Sequence, residues 1–118
     1  MVVGTEWLVD ARGCSAEALR DLGRVRSLLE LVLERLELRV VGDGVWHAFP
    51  GHGGVTGIYL LTESHLSIHT YPEHGLATLN LYCCRPRQIF PWRDELVRAL
   101  GATEVEVRAI PRGSETSR

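Results

Sequence analysis

The spacing of hydrophobic positions divides the first part of the chain into a strand and a helix. Residues 3–11 are apolar-rich and are followed by an Arg-Gly pair, which predicts a first strand that ends in a turn. After Ser15, a candidate N-cap, leucine and valine recur at steps of three and four from Ala16 to about Leu36. This spacing predicts one long amphipathic helix.

The remaining segments are mostly of strand length. Residues 38–49 contain a β-branched run broken by Gly-Asp-Gly, which fits either a bulged strand or a tight hairpin. The predicted strands after it span residues 55–63, 64–71, 75–84 and 103–110, and a second helix is predicted over residues 90–100. The pattern as a whole predicts an α+β fold, a two-layer sandwich with both helices on one face of an antiparallel sheet.

Composition and charge narrow the range of functions. A chain of 118 residues that is 45% hydrophobic has material for one core, so we expect a single domain over residues 1–118. A net charge of -2 offers no basic surface for nucleic acid or anionic lipid, and a small-molecule substrate is expected. The absence of a basic leader and of a long apolar run leads us to expect a cytoplasmic protein away from membranes.

The three cysteines are expected to be free thiols. Their number is odd, and Cys83 and Cys84 are adjacent, which is poor geometry for a disulfide framework. Cys14 is the third.

Chemistry-bearing residues are concentrated in the segment ESHLSIHTYPEHG, residues 63–75. Side chains alternate along a strand, so His65 and His69 are expected on one face and Ser64 on the other. If a hairpin turn is centred after Glu73, antiparallel pairing places Ser64 opposite position 83, within one register step. A cysteine is therefore expected beside Ser64.

Residue chemistry alone leaves a hydrolase and a metal site open. A serine, a histidine and a carboxylate can form a nucleophile–base relay, although the sequence contains no G-x-S-x-G nucleophile elbow. His65, His69 and His74 with a cysteine are admissible zinc ligands. However, the first two would stand about 13 Å apart on a strand.

The same segment resembles the processing site of bacterial S-adenosylmethionine decarboxylases, which carry an E-S-H-x-[ST]-I-H-T-[WY]-P-E core. Residues 47–49 and 55–57 are similar to the family's upstream segment, and residues 79–84 are similar to its cysteine strand. The resemblance implies a proenzyme that cuts itself between Glu63 and Ser64, into a β chain (1–63) and an α chain (64–118). Its pyruvoyl group, made from Ser64, would form a Schiff base with the substrate amine, so that neither pyridoxal phosphate nor a metal is required.

The resemblance also implies roles for individual residues. His69 is expected to be the base of the processing reaction, with Thr56 assisting ester formation. Cys84 is expected to protonate the substrate carbon after carbon dioxide leaves, whereas Cys83 is expected to be structural. For substrate binding, Phe49 would stack on adenine and Glu73 would bind the ribose hydroxyls.

The family chemistry further leads us to expect these groups in one place. Ser64, His69 and Cys84 should converge, with Thr56 close by, which requires a twist or bulge at the cleavage bond. Glu6 is a further candidate for a position near the site. By resemblance, the protein is expected to be a dimer with its sheets packed face to face, supplying decarboxylated S-adenosylmethionine for spermidine synthesis.

Departures from the family pattern keep other functions open. Arg85 stands where relatives usually have glycine, Asn80 replaces an acidic residue, and Thr56 replaces a serine. A changed pocket is compatible with decarboxylation of arginine or ornithine. An inactive regulatory or partner subunit is the alternative without enzyme activity.

Overall fold

A computed structural model describes residues 2–85 and 89–113 of the chain. Within these residues, one six-stranded sheet has the strand order β2-β3-β4-β5-β1-β6, and every neighbouring pair is antiparallel. The strands are β1 (Gly4–Arg12), β2 (Val45–Ala48), β3 (Val55–Leu61), β4 (Ser64–Tyr71), β5 (Leu76–Cys83) and β6 (Glu104–Arg112). The helices are α1 (Ala16–Arg20), α2 (Leu22–Arg35) and α3 (Trp92–Leu100), and a 3-10 turn (Pro72–His74) joins β4 to β5.

The hydrophobic core lies between the helices and one face of this sheet. Alternate side chains of β5, from Ala77 to Cys83, are buried in one cluster with the apolar stripes of α2 and α3. The intervening side chains of β5 are half-buried and point to the opposite face, which no helix in the described part of the chain covers. We call this the uncovered face. The predicted two-layer α+β sandwich is confirmed.

The first predicted helix is divided in two. Ser15 is the N-cap of α1, as predicted, and its hydroxyl accepts a hydrogen bond from the Ala18 amide at 3.2 Å. Asp21 has extended backbone angles and caps α2, accepting a hydrogen bond from the Arg24 amide at 3.2 Å. The apolar periodicity continues through the break, so the hydrophobic pattern alone gave no sign of this second cap.

Residues 38–49 form one interrupted edge strand and not a hairpin. Val40 pairs with Leu61 as an isolated bridge, and Val45 pairs with Ile58 at the start of β2. On this edge, four residues separate Val40 from Val45. On β3, only two residues separate their partners, Ile58 and Leu61, so the edge contains two extra residues. The Gly-Asp-Gly sequence is the interruption, which corresponds to the bulged-strand alternative.

The hairpin of β4 and β5 has the predicted register. Ser64 lies opposite Cys83, and Tyr71 lies opposite Leu76. Gly75 closes the turn with a φ of 59°, a left-handed conformation that glycine adopts without steric cost. The hairpin therefore places a cysteine directly beside Ser64.

Candidate active site

A threonine and a histidine form the first part of the candidate site. Thr56 on β3 pairs with His69 on β4, and Thr56 Oγ1 lies 3.0 Å from His69 Nδ1 on the uncovered face. Both residues are half-buried. A hydroxyl in hydrogen-bond contact with an imidazole is an arrangement suited to proton transfer.

The predicted substrate-binding residues lie around this pair. Phe49 and Glu73 line a pocket of about 310 Å³ together with Thr56 and His69. The Phe49 side chain is 49% exposed, which leaves its ring accessible to a planar ligand. The structure thus brings the two predicted binding residues beside the threonine and the histidine.

A buried threonine fixes the wall of the pocket. Thr70 Oγ1 donates to the Leu19 carbonyl at 2.7 Å and accepts from the Val55 amide at 2.8 Å. Gly54 packs so closely on this strand that an added Cβ would lie 2.0 Å from the Thr70 carbonyl oxygen. Thr70 follows His69 and Val55 precedes Thr56 in the sequence, so these bonds hold both site residues in place. Sequence reasoning missed Thr70, since nothing in the sequence distinguishes it from another strand threonine.

The predicted cleavage bond lies at the tight connection between β3 and β4. Leu61 pairs with Ser64, so Thr62 and Glu63 form a two-residue hairpin loop that contains no glycine. Ser64 has a φ of 154°, a conformation that costs a residue with a side chain about 1–3 kcal/mol. The Ser64 hydroxyl oxygen is buried and has no hydrogen-bond partner in the described part of the chain. The bond after Glu63 is therefore followed by a strained residue with an unpaired hydroxyl.

The residues after β5 hold the other side of this bond. The Cys84 amide donates to the Glu63 carbonyl oxygen at 3.3 Å, and Arg85 Nε lies 2.9 Å from Glu63 Oε2. Cys84 is exposed, whereas Cys83 is buried in the core. Their different exposure fits the predicted division into a chemical and a structural cysteine.

A second pocket opens along the uncovered face. It has a volume of about 360 Å³, and His69 lines it together with Asp10, Asn80 and Arg108. His69 therefore faces two cavities. The second one includes both charge signs, which suits a ligand with an amine and a carboxylate.

Glu6 belongs to a polar network beside this pocket. Its carboxylate accepts a hydrogen bond from Asn80 Nδ2 at 2.7 Å and another from Arg112 Nη1. The Asn80 bond lowers the pKa of Glu6 below its usual value, and Arg112 and His65 act in the same direction against the effect of burial. Sequence reasoning missed Arg112, because it lies 106 positions from Glu6 and no local pattern connects the two.

The expected convergence of the catalytic residues within one chain is not observed. Ser64 and His69 are five positions apart on a strand that stays in register with both of its neighbours. That separation corresponds to about 16 Å along the strand, and the alternation of side chains assigns the two residues to opposite faces. The positive φ at Ser64 changes the backbone locally but does not shorten the strand between them.

The same geometry can be compared with the two alternatives that residue chemistry left open. A serine–histidine relay between Ser64 and His69 cannot form in one chain at that separation. Among residues 2–85 and 89–113, no group of three or more histidine, cysteine or acidic side chains is placed to hold a metal ion.

Comparison with known proteins decides the family. The family model described as S-adenosylmethionine decarboxylase matches residues 5–113. The chain belongs to this family. The family that residues 63–75 led us to expect is thus confirmed, and the match extends over most of the chain.

Individual members of the family are similar over most of their length. The S-adenosylmethionine decarboxylase proenzyme of Archaeoglobus fulgidus is 43% identical over 84 residues, which cover 71% of this chain and 73% of that protein. The proenzyme of Aquifex aeolicus is 34% identical over 112 residues, which cover 94% of this chain and 82% of that protein. Each is named as a proenzyme, a term for a precursor that requires processing.

A solved structure supports the fold independently. The crystal structure of the adenosylmethionine decarboxylase from Aquifex aeolicus aligns with a TM-score of 0.79 and 31% sequence identity. The alignment covers 99% of this chain and 96% of the other. In the described part of this chain, no helix has the length and apolar character needed to cross a membrane.

Proposed function

We propose that this chain is a pyruvoyl-dependent S-adenosylmethionine decarboxylase that makes its own prosthetic group by cutting itself between Glu63 and Ser64. The observation that carries the proposal is the buried hydroxyl of Ser64, which has no hydrogen-bond partner among the described residues and belongs to a residue with a φ of 154°. Strain at a residue next to a reacting bond favours the reaction that relieves it. An unpaired hydroxyl is free to attack the neighbouring carbonyl.

The cleavage follows from ordinary acyl chemistry. Ser64 Oγ attacks the Glu63 carbonyl carbon, the C–N bond breaks, and the nitrogen gains a proton, which leaves an ester. A base then removes the Ser64 α-proton, and Glu63 departs as a carboxylate when the Cβ–O bond breaks. The resulting enamine tautomerises to an imine, and water replaces its nitrogen, which leaves as ammonia. The downstream chain then begins with a pyruvoyl group.

The chain's own residues would then bind the substrate and deliver the proton. The pyruvoyl group, once present, supplies a ketone that withdraws electrons from an attached amino acid. Cys84 follows Cys83, the residue paired with Ser64, and of these two cysteines it is the exposed one, so its thiol is the proton donor in this proposal. No metal takes part in this scheme.

The position of His69 supports a dimer in which each site combines two chains. Because about 16 Å of strand separates His69 from Ser64, His69 serves as the processing base for a second copy. The uncovered face supports this arrangement, since it exposes apolar side chains that a packed sheet would bury. These are Val45, Ile58, Leu60 and Ile110, which are 71%, 46%, 59% and 40% exposed.

The pocket around Phe49 favours a nucleoside over a bare amino acid. An exposed aromatic ring stacks on adenine, and the Glu73 carboxylate accepts hydrogen bonds from ribose hydroxyls. S-adenosylmethionine carries both groups, whereas arginine and ornithine carry neither. The product, decarboxylated S-adenosylmethionine, would serve polyamine synthesis in the cytoplasm.

Carbon dioxide release from three substrates tests this assignment. Processed protein should decarboxylate S-adenosylmethionine and leave arginine and ornithine largely untouched, while Ser64→Ala should be inactive on all three. Phe49→Ala should raise KM for S-adenosylmethionine more than it lowers kcat. Preference for arginine or ornithine would overturn the substrate, and no release from any of them would support an inactive partner subunit.

A further inference from the structure

We propose that Arg85 is a positioning residue for self-cleavage, which holds Glu63 so that its carbonyl oxygen meets the Cys84 amide. This inference rests on the proposed self-cleavage and adds a residue to which the family resemblance assigns no role. The Arg85 guanidinium carries five hydrogen-bond donors close to the bond to be cut.

Two contacts from consecutive residues converge on Glu63. The Arg85 guanidinium lies 2.9 Å from the Glu63 carboxylate, and the Cys84 amide lies 3.3 Å from the Glu63 carbonyl oxygen. We call these two contacts the Glu63 clamp. The Glu63 side chain is 18% exposed and that of Arg85 is 73% exposed, so the clamp reaches from the protein surface to the reacting bond.

The clamp bears on the first chemical step. When Ser64 Oγ attacks, the Glu63 carbonyl oxygen becomes an oxyanion, and an amide already aimed at it stabilises that charge. At 3.3 Å the amide contact is long for a hydrogen bond, so it is sensitive to small movements of Glu63. An ion pair on the Glu63 side chain restrains those movements. Arg85 therefore acts through Glu63 and does not itself touch the reacting atoms.

Binding of the substrate is an alternative role for Arg85. A cation beside the prosthetic group is also suited to bind the carboxylate of an amino acid substrate. The two roles differ in the step they affect: a positioning residue changes the rate of self-cleavage, and a substrate-binding residue changes KM of the processed enzyme.

The experiment follows self-cleavage of freshly made proenzyme by intact mass, after a short cell-free synthesis. Arg85→Gln should slow the first-order rate about fivefold, as expected for a partly exposed ion pair. Arg85→Lys, which keeps the charge, should fall between this variant and the wild type. Arg20→Gln, a matched loss of charge at the end of α1, should cleave at the wild-type rate.

A double variant of Glu63 and Arg85 distinguishes a positioning role of Arg85 from a general effect on the structure. If Arg85 acts through Glu63, the double variant Glu63→Gln/Arg85→Gln should cleave no more slowly than the slower single variant. Added salt should slow the wild type and leave Arg85→Gln unchanged, because salt screens the exposed pair.

Each result has a defined meaning. Cleavage of Arg85→Gln at the wild-type rate, additive effects in the double variant, or a change confined to KM would overturn the role of Arg85 and leave self-cleavage standing. If Arg85→Gln fails to fold, Arg85→Lys and the salt series on the wild type carry the test. A wild type that never cleaves would overturn the proposed function itself.

Discussion

Thr56 Oγ1 and His69 Nδ1 lie 3.0 Å apart on neighbouring strands, joined by the register of β3 and β4 and locked by the buried hydroxyl of Thr70. If this pair transfers protons during processing, the hydroxyl group of Thr56 is required and its methyl group is not. Thr56→Val should therefore slow self-cleavage about a hundredfold, the lower range for a positioned proton-transfer group. Thr56→Ser should cleave at nearly the wild-type rate, and equal slowing of both variants would count against a role for the hydroxyl.

A mixed dimer tests whether His69 acts on the second copy. His69→Ala and Ser64→Ala should each stay uncut when produced alone. Co-expressed with different tags, they form mixed dimers in which one site combines the intact Ser64 of one chain with the intact His69 of the other. The His69→Ala chain should then be cleaved, as seen by mass of the tagged fragments. If mixed dimers form but remain uncut, His69 does not act across the interface.

Replacement of Cys84 should affect decarboxylation without preventing self-cleavage. Cys84→Ala should still be cut, because its backbone amide remains in place, but it should release carbon dioxide at a rate reduced about a hundredfold or more. Protonation at the wrong carbon would transfer the substrate amine to the prosthetic group, so activity should also decline during turnover.

Cys83→Ala is the matched control for this experiment. Cys83 is buried, so its replacement should lower the free energy of unfolding by about 1 kcal/mol and leave turnover intact. An inactive Cys83→Ala beside a fully active Cys84→Ala would assign the proton donor to the other cysteine.

The lowered pKa of Glu6 predicts that the stability of the folded protein depends on pH. Its pKa in the folded protein is lowered, first by the Asn80 hydrogen bond, so the charged form is favoured by folding. This contribution is present above the unfolded value of about 4.3 and is lost as the pH falls through the lower folded pKa. Urea unfolding should show that Glu6→Gln costs stability near neutral pH and progressively less in acid. Parallel curves of stability against pH for Glu6→Gln and the wild type would contradict the assignment.

The sequence predicted the hairpin better than the site. Period-two alternation and a central turn were enough to place Ser64 opposite Cys83, because one face of that hairpin is buried and a register slip would expose it. The same alternation assigned Ser64 and His69 to opposite faces. The expectation that they meet came from the chemistry of the family, and a single chain does not satisfy it.

Features that depend on tertiary structure were not predicted from the sequence. The break at Asp21 interrupts a helix whose apolar stripe continues, and the bond between Glu6 and Arg112 joins the two ends of the chain. The positive φ of Ser64 arises from a two-residue loop without glycine, which the sequence alone did not reveal because the strand boundaries were unknown. Propensity is local, whereas these contacts are set by the packing of distant elements.

Intact mass of the purified wild type tests self-processing most directly. The 13.2 kDa chain should be replaced by two fragments that meet between Glu63 and Ser64, and the downstream fragment should be blocked to N-terminal sequencing by its pyruvoyl group. Ser64→Ala, which lacks the attacking hydroxyl, should remain a single species under the same conditions. A folded wild type that stays whole after long incubation, or a downstream fragment that begins with an ordinary serine, would contradict the account.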